Sequence, residues 1–154
     1  AALRQTVNEL ERVVLRARVD FCTFPAEHED VFHHDADLFF VGGNLPIQDY
    51  IEEHKKLSRC FPDIRMRWES LTEIRPGQVL VMGARISGTH TGEPYGYGTL
   101  SPVKRKFVGG PVRFENDEER LLYTVVNQQI VRLDIIPLGK KTGPPAIYEQ
   151  LLKG

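Results

Sequence analysis

Three short stretches hold the side chains with chemistry to offer. "FHHD" at 32–35 sets two imidazoles beside a carboxylate, "SGTHTG" at 87–92 ends an apolar run on His90, and "IVRLDIIP" at 130–137 places one acid, Asp134, among aliphatic residues. An imidazole titrates near neutral pH and serves as a general acid or base with little tuning, and burial raises a carboxyl toward the same range. Each group also has a plainer role. A histidine at a strand end bonds a backbone carbonyl, and Asp134 pairs with a surface lysine or arginine. A metal needs three or four converging ligands. Neighbours on a strand face opposite ways, so His33 and His34 do not share an ion; with only His90, Asp35 and Asp134 to complete a set, no metal site is expected.

These residues need elements to position them. "TVNELERVVLRARVDFC" repeats apolar residues at Val7, Leu10, Val13, Val14, Ala17 and Phe21, which predicts a helix over 5–24. "DVFHHDADLFFVGG" reads as extended. "LPIQDYIEEHKKLSRCF" predicts a second helix, with Pro46 at its start, Ile47, Tyr50, Ile51 and Leu57 on its apolar side, and Pro62-Asp63 as its stop. The period then falls to two. "IRMRWES", "QVLVMGARISGTH", "KRKFVGGPVRFE", "RLLYTVVN" and "QIVRLDIIP" read as antiparallel strands, and "PPAIYEQLL" as a short last helix. Helices followed by strands give an α+β class in a single domain over 1–154.

Parity sorts the candidates. His90 shares its face with Leu80, Met82, Ala84 and Ile86, while Val81, Arg85, Ser87 and Thr89 take the other; His34 shares parity with Phe32, and Trp68 with Ile64 and Met66. On the last strand Val131, Leu133 and Ile135 face one way and Asp134 the other. Asp134 therefore acts on a substrate only if the sheet is enclosed on both faces.

Twenty basic and twenty-one acidic side chains in 154 residues leave a net charge of −1, which argues against nucleic acid as a partner. No uncharged run approaches the ~20 apolar residues of a membrane-spanning helix, so no membrane insertion is expected. Cys22 and Cys60 have neither metal-ligand spacing nor the density of a disulfide framework, which suits a reducing, cytoplasmic setting. The chain opens "AALRQ" without a methionine, leaving a removed targeting segment open.

Read in order, "HEDVFHHD", "GGNLPIQDYIEEHKKLSRCFPDIRMRWESL" and "GQVLVMGARISGTHTG" resemble the SnoaL-like polyketide cyclases, within the nuclear-transport-factor-2-like superfamily that also holds the ketosteroid isomerases. The resemblance rests on His34-Asp35, on Phe61-Pro62-Asp63 and on the Gly-Thr-His-Thr-Gly of 88–92, and spans about residues 5–137. It implies a cone: a strongly curved antiparallel sheet wrapped around the helices, with one deep apolar pocket, often dimerising through the sheet. It also implies an aldol-type closure or an isomerisation through an enolate, with no metal or organic cofactor. On this pattern His34 takes the place of the isomerases' carboxylate base, Asp134 is the late-strand acid, and His90 joins them as the catalytic set. Phe32, Tyr50, Trp68, Met82 and Tyr123 supply the substrate-binding wall. Leu121 falls where the isomerases keep an oxyanion-stabilising acid, and cannot donate. The basic stretch "EPYGYGTLSPVKRKFVGGPVRFENDEE" and the tail "LGKKTGPPAIYEQLL" depart from the pattern.

Three functions follow: a cofactor-independent enzyme on a hydrophobic carbonyl compound, a binding module for a hydrophobic small molecule, and an assembly domain, the expected homodimer. The enzyme, with His34, His90 and Asp134 as its catalytic set, requires those three residues to meet in one cavity.

Overall fold

The computed structural model describes residues 8–17 and 31–154. Helix α1, Glu9–Arg16, begins on a reciprocal cap: Asn8 Oδ1 accepts from the Glu11 amide at 2.8 Å and Glu11 Oε1 accepts from the Asn8 amide at 3.0 Å. Glu11 is buried, and its other oxygen accepts from the Glu73 amide at 2.7 Å, pinning the helix to the sheet. The remainder of the helix expected over 5–24, with Phe21 and Cys22, lies outside the described residues.

The rest of the chain runs β1 (Phe32–Phe40), β2 (Gly43–Pro46), α2 (Ile47–Cys60), β3 (Arg65–Arg67), β4 (Ser70–Arg75), β5 (Gln78–Thr89), β6 (Arg113–Glu115), β7 (Glu119–Val126), β8 (Gln129–Pro137) and α3 (Gly143–Lys153). The strands form one curved sheet in the order β2-β1-β8-β7-β5-β3, with β4 and β6 also paired to β5. This is the expected α+β class, with one departure from an all-antiparallel sheet. β1 pairs parallel to β8, Leu38 lying beside Leu133, so the sheet is mixed. Helix α2 lays Ile47, Ile51 and Leu57 against the concave face, where Val79, Val81, Leu121, Tyr123 and Leu133 complete the core.

Two strands differ from expectation for local reasons. The residues of "KRKFVGGPVRFE" pair only over Arg113–Glu115, because Gly109 and Gly110 turn the chain at φ +81 and +83 and Pro111 has no amide to donate. "IRMRWES" splits at Trp68-Glu69 into β3 and the start of β4, and both pair with β5 on either side of Gly83.

Gly83 is the corner of the sheet. Its φ is +71, and the pairing of β5 with β7 slips between Val81 and Ala84. A bulge inserts one residue and reverses which side chains face inward. Before it Val79 and Val81 are buried; after it Ala84, Ile86, Gly88 and His90 are. The uniform parity expected along this strand therefore fails in its first half, and Met82 stands outside, 37% exposed. A Cβ at Gly83 would lie 2.4 Å from the Glu69 side chain as well as in left-handed backbone. Gly83→Val is expected to cost about 1–3 kcal/mol, measured by chemical denaturation; a stability equal to the parent would show that the corner does not need glycine.

Candidate active site

A cavity of about 610 Å³ opens between α2 and the concave sheet, within the ~300–1,000 Å³ of small-molecule sites. Leu38, Met66, Ile86, Leu121 and Ile135 line it from the sheet, Phe40, Val41 and Leu45 from the β1–β2 hairpin, and Tyr97 and Gly98 from the loop after β5. Polar groups enter at few points. Asp49, Tyr50, Glu53 and His54 come from α2, Asn116 from the turn before β7, and Glu119 from the first position of β7.

Several of these polar groups are occupied. Asn116 gives its side-chain amide to the Gly143 carbonyl at 3.2 Å and accepts from Gln150 Nε2 at 2.9 Å, which fixes α3 across one end of the cavity. Glu53 pairs with Lys56 at 3.3 Å and accepts from the Tyr95 hydroxyl at 3.5 Å. Asp49 is exposed.

Glu119, Tyr50 and His54 also line the cavity. Burial pushes the Glu119 carboxyl up to about 7, with no cation among the described residues offsetting it. Tyr50 is raised too, by burial first and then by Glu119, so its phenol stays protonated. Behind it Tyr123, 1% exposed, is raised by burial and by both neighbours. His54 is buried with its ring 4.0 Å from that of Tyr50, one helical turn along the same face. A carboxyl that changes state near neutrality, a phenol that does not, and an imidazole thus share one apolar hollow. Such a set can take a proton from carbon and steady the oxyanion that results.

The set expected from sequence does not assemble. His34 turns into solvent, its side chain 78% exposed, and meets Asp35 at 3.3 Å; a shift in pairing between Phe32 and Asp37 releases this part of β1 from its neighbour. The same irregularity stacks His33 on His34, ring centroids 4.3 Å apart, where alternation placed them on opposite faces. Ligand-type atoms of His33, His34 and Asp35 lie within 4.8 Å of one another, although His33 Nδ1 already accepts from the Asp35 amide at 3.0 Å.

Asp134 is on the outer face, gripped by Arg132 through two bonds of 2.9 Å, and Arg132 in turn lies 3.8 Å over the Phe39 ring. His90 is buried but belongs to a latch outside the cavity. Its Nε2 bonds the Glu93 carbonyl at 2.9 Å, and since a carbonyl only accepts, that nitrogen carries the proton. Asp63 accepts from the Thr89 amide at 2.6 Å and from its hydroxyl at 2.7 Å, while the Gly92 and Glu93 amides bond the Cys60 and Arg59 carbonyls. The Phe-Pro-Asp turn and the Gly-Thr-His-Thr-Gly run are two halves of one fastening between the end of α2 and the end of β5.

Of the expected wall, Tyr50 lines the cavity. Phe32, Trp68 and Tyr123 are packed into the core, and Met82 is outside. Trp68 stacks at an angle 6.0 Å from Tyr123, its indole N–H lacking a hydrogen-bond partner among the described residues.

No protein-family model matches the sequence, and no curated protein does. The folded chain has many structural counterparts. The proposed hydroxylase AclR from Streptomyces galilaeus superposes with a TM-score of 0.66 at 14% identity, covering 95% of this chain and 82% of AclR. IdmH from Streptomyces antibioticus, a proposed polyketide cyclase, gives 0.62 at 14%, covering 94% and 99%. A proposed SnoaL-like polyketide cyclase from Jannaschia gives 0.57 at 17%, covering 86% and 90%. The chain has the nuclear-transport-factor-2-like fold. At such identities the fold alone is shared. Two candidate site residues escape the sequence pattern, though both leave a signal. His54 continues the helical spacing of Ile47, Tyr50, Ile51 and Leu57, and Glu119 shares parity with Leu121, Tyr123 and Val125.

Proposed function

We propose that the cavity carries out general acid–base chemistry on a hydrophobic carbonyl compound, an aldol-type closure or isomerisation through an enolate. Glu119 carries the assignment: a carboxyl titrating near 7 in an apolar hollow accepts a proton from an activated carbon and returns it without a large loss in either direction. Tyr50 donates to the developing oxyanion, and His54 beside it is the second proton carrier. The chemistry calls for no metal or organic cofactor. Proposed polyketide cyclases among proteins of the same fold support the substrate class.

The test is proton exchange. Hydrophobic 1,3-dicarbonyl compounds in D2O, followed by proton NMR, should lose their α-hydrogen signal faster with the protein present, and the rate should rise through pH 7 as Glu119 ionises. Tight binding across such a panel with no acceleration would make the cavity a carrier site and end the catalytic assignment.

The outer face supports a homodimer besides. The reversal at Gly83 puts Leu80 outside, beside Leu122, with Asp134 and Phe39 next along the same row. Leu80, Leu122 and Phe39, with Asp134 held by Arg132 among them, give a second copy an apolar surface to cover. Leu80→Asp is expected to convert a dimer to monomer in sedimentation velocity; a parent chain that is monomeric at high concentration would remove this assembly.

A further inference from the structure

The loop between β5 and β6 lends Tyr97 and Gly98 to the cavity, and the stretch after them is basic. From 99 to 112 it holds Lys104, Arg105 and Lys106 and no acidic residue. Directly after them come Phe107 and Val108, 79% and 91% exposed, the two most exposed large apolar side chains among the described residues. Gly109 and Gly110 close the turn that holds this pair outward.

The exposure is built in, because the loop is fastened at its base. Tyr95 and Val103 exchange backbone bonds of 2.9 and 2.8 Å, the Tyr148 hydroxyl donates to the Ser101 carbonyl at 2.7 Å, Arg105 donates to the Thr91 carbonyl at 2.7 Å, and Lys106 donates to the Gly154 carbonyl. The Arg105 guanidinium lies 4.9 Å over the Phe107 ring, leaving the ring's other face open. Glu93 earlier in the loop pairs with Arg59, Glu115 just after it with Arg113, and Glu149 of α3 with Lys153.

We infer that this loop docks the protein on a bilayer surface bearing anionic headgroups, with Phe107 and Val108 entering the headgroup layer and Lys104, Arg105 and Lys106 forming a collar on the phosphates and carboxylates. Two side chains at a tip are far short of the ~800 Å² per partner of a stable protein interface. They suit an interfacial wedge, where each basic residue strengthens binding about fivefold and the apolar tip adds to it. Among the described residues no helix is long and apolar enough to cross a membrane, so the association is at headgroup depth.

Flotation with vesicles of phosphatidylcholine alone, and of phosphatidylcholine mixed with phosphatidylserine, tests this at low and high salt. The protein should float with the mixed vesicles at low salt, remain below with phosphatidylcholine alone, and be released by salt. Phe107→Ser and Lys104→Glu, both on exposed side chains, should each weaken partitioning by about tenfold or more while leaving thermal unfolding unchanged. No flotation with the mixed vesicles overturns the inference. So does flotation that neither variant alters, and so does retention on immobilised polyglutamate without vesicle binding, which would assign the loop to an acidic protein.

Discussion

Glu119→Gln is expected to reduce enolate-forming turnover by about 10²–10⁴-fold while raising stability above neutral pH. The two effects share one cause. The parent carboxyl has an ordinary range near 4.5 and is lifted to about 7 by burial. Between those pH values the folded chain holds a proton that the unfolded chain has released, so stability falls as pH rises through the window and levels off above it. At most about 3 kcal/mol is lost this way. Glutamine keeps the shape and has no charge to bury. Urea unfolding of the two proteins should therefore agree near pH 4.5 and diverge toward pH 8, with the variant the more stable. A variant that loses turnover and shows no pH-dependent gain would mean that Glu119 is not desolvated as the geometry implies; one that keeps turnover would displace it as the base.

The second large effect is expected at Gly92, away from the cavity. A Cβ there would fall 1.9 Å from the Arg59 carbonyl oxygen and 3.0 Å from that of Cys60. These are backbone atoms at the end of α2 and cannot swing aside as a side chain would. Gly92→Ala must break the hydrogen bonds that the Gly92 and Glu93 N–H groups donate to those carbonyls and pull at the turn held by His90 and Thr89. Overpacking with two lost hydrogen bonds comes to about 3–5 kcal/mol. In a chain of this length the unfolding temperature should drop by roughly 10 °C. A melting temperature within a degree of the parent would show that the latch tolerates displacement and is not what joins helix to sheet.

His90 illustrates how much of this molecule was legible beforehand. Its place at the end of an apolar strand was plain from alternation, and so was the simpler role of bonding a carbonyl, which is what it does. The shared motif around it invited a catalytic role because a motif records which residues occur together and not whether they serve chemistry or attachment. Asp63 and Thr89 show that attachment is the answer here. The helices and most strands were readable because periods of 3.6 and 2 are properties of local backbone. Gly83 was visible as a glycine within a strand, but whether it passes straight or bulges depends on Glu69 and on the pairing of β7, which lie elsewhere in the chain. For that reason alternation alone places Met82 on the wrong side. His54 and Glu119 are hidden in the pattern because polar residues at inward positions break an apolar run, and functional sites are where such breaks gather.

The parallel alignment of β1 with β8 has a consequence for how the chain reaches this state. β1 has only the short β2 to lean on until β8, near the other end of the described chain, has been made and has found it. Closure is then a late event of high contact order, and slow folding follows from it. Before that event the buried edge residues Leu38 and Leu133 are open to any passing strand, so the interval between synthesis of β1 and arrival of β8 is when a second nascent copy competes most effectively for the same edge.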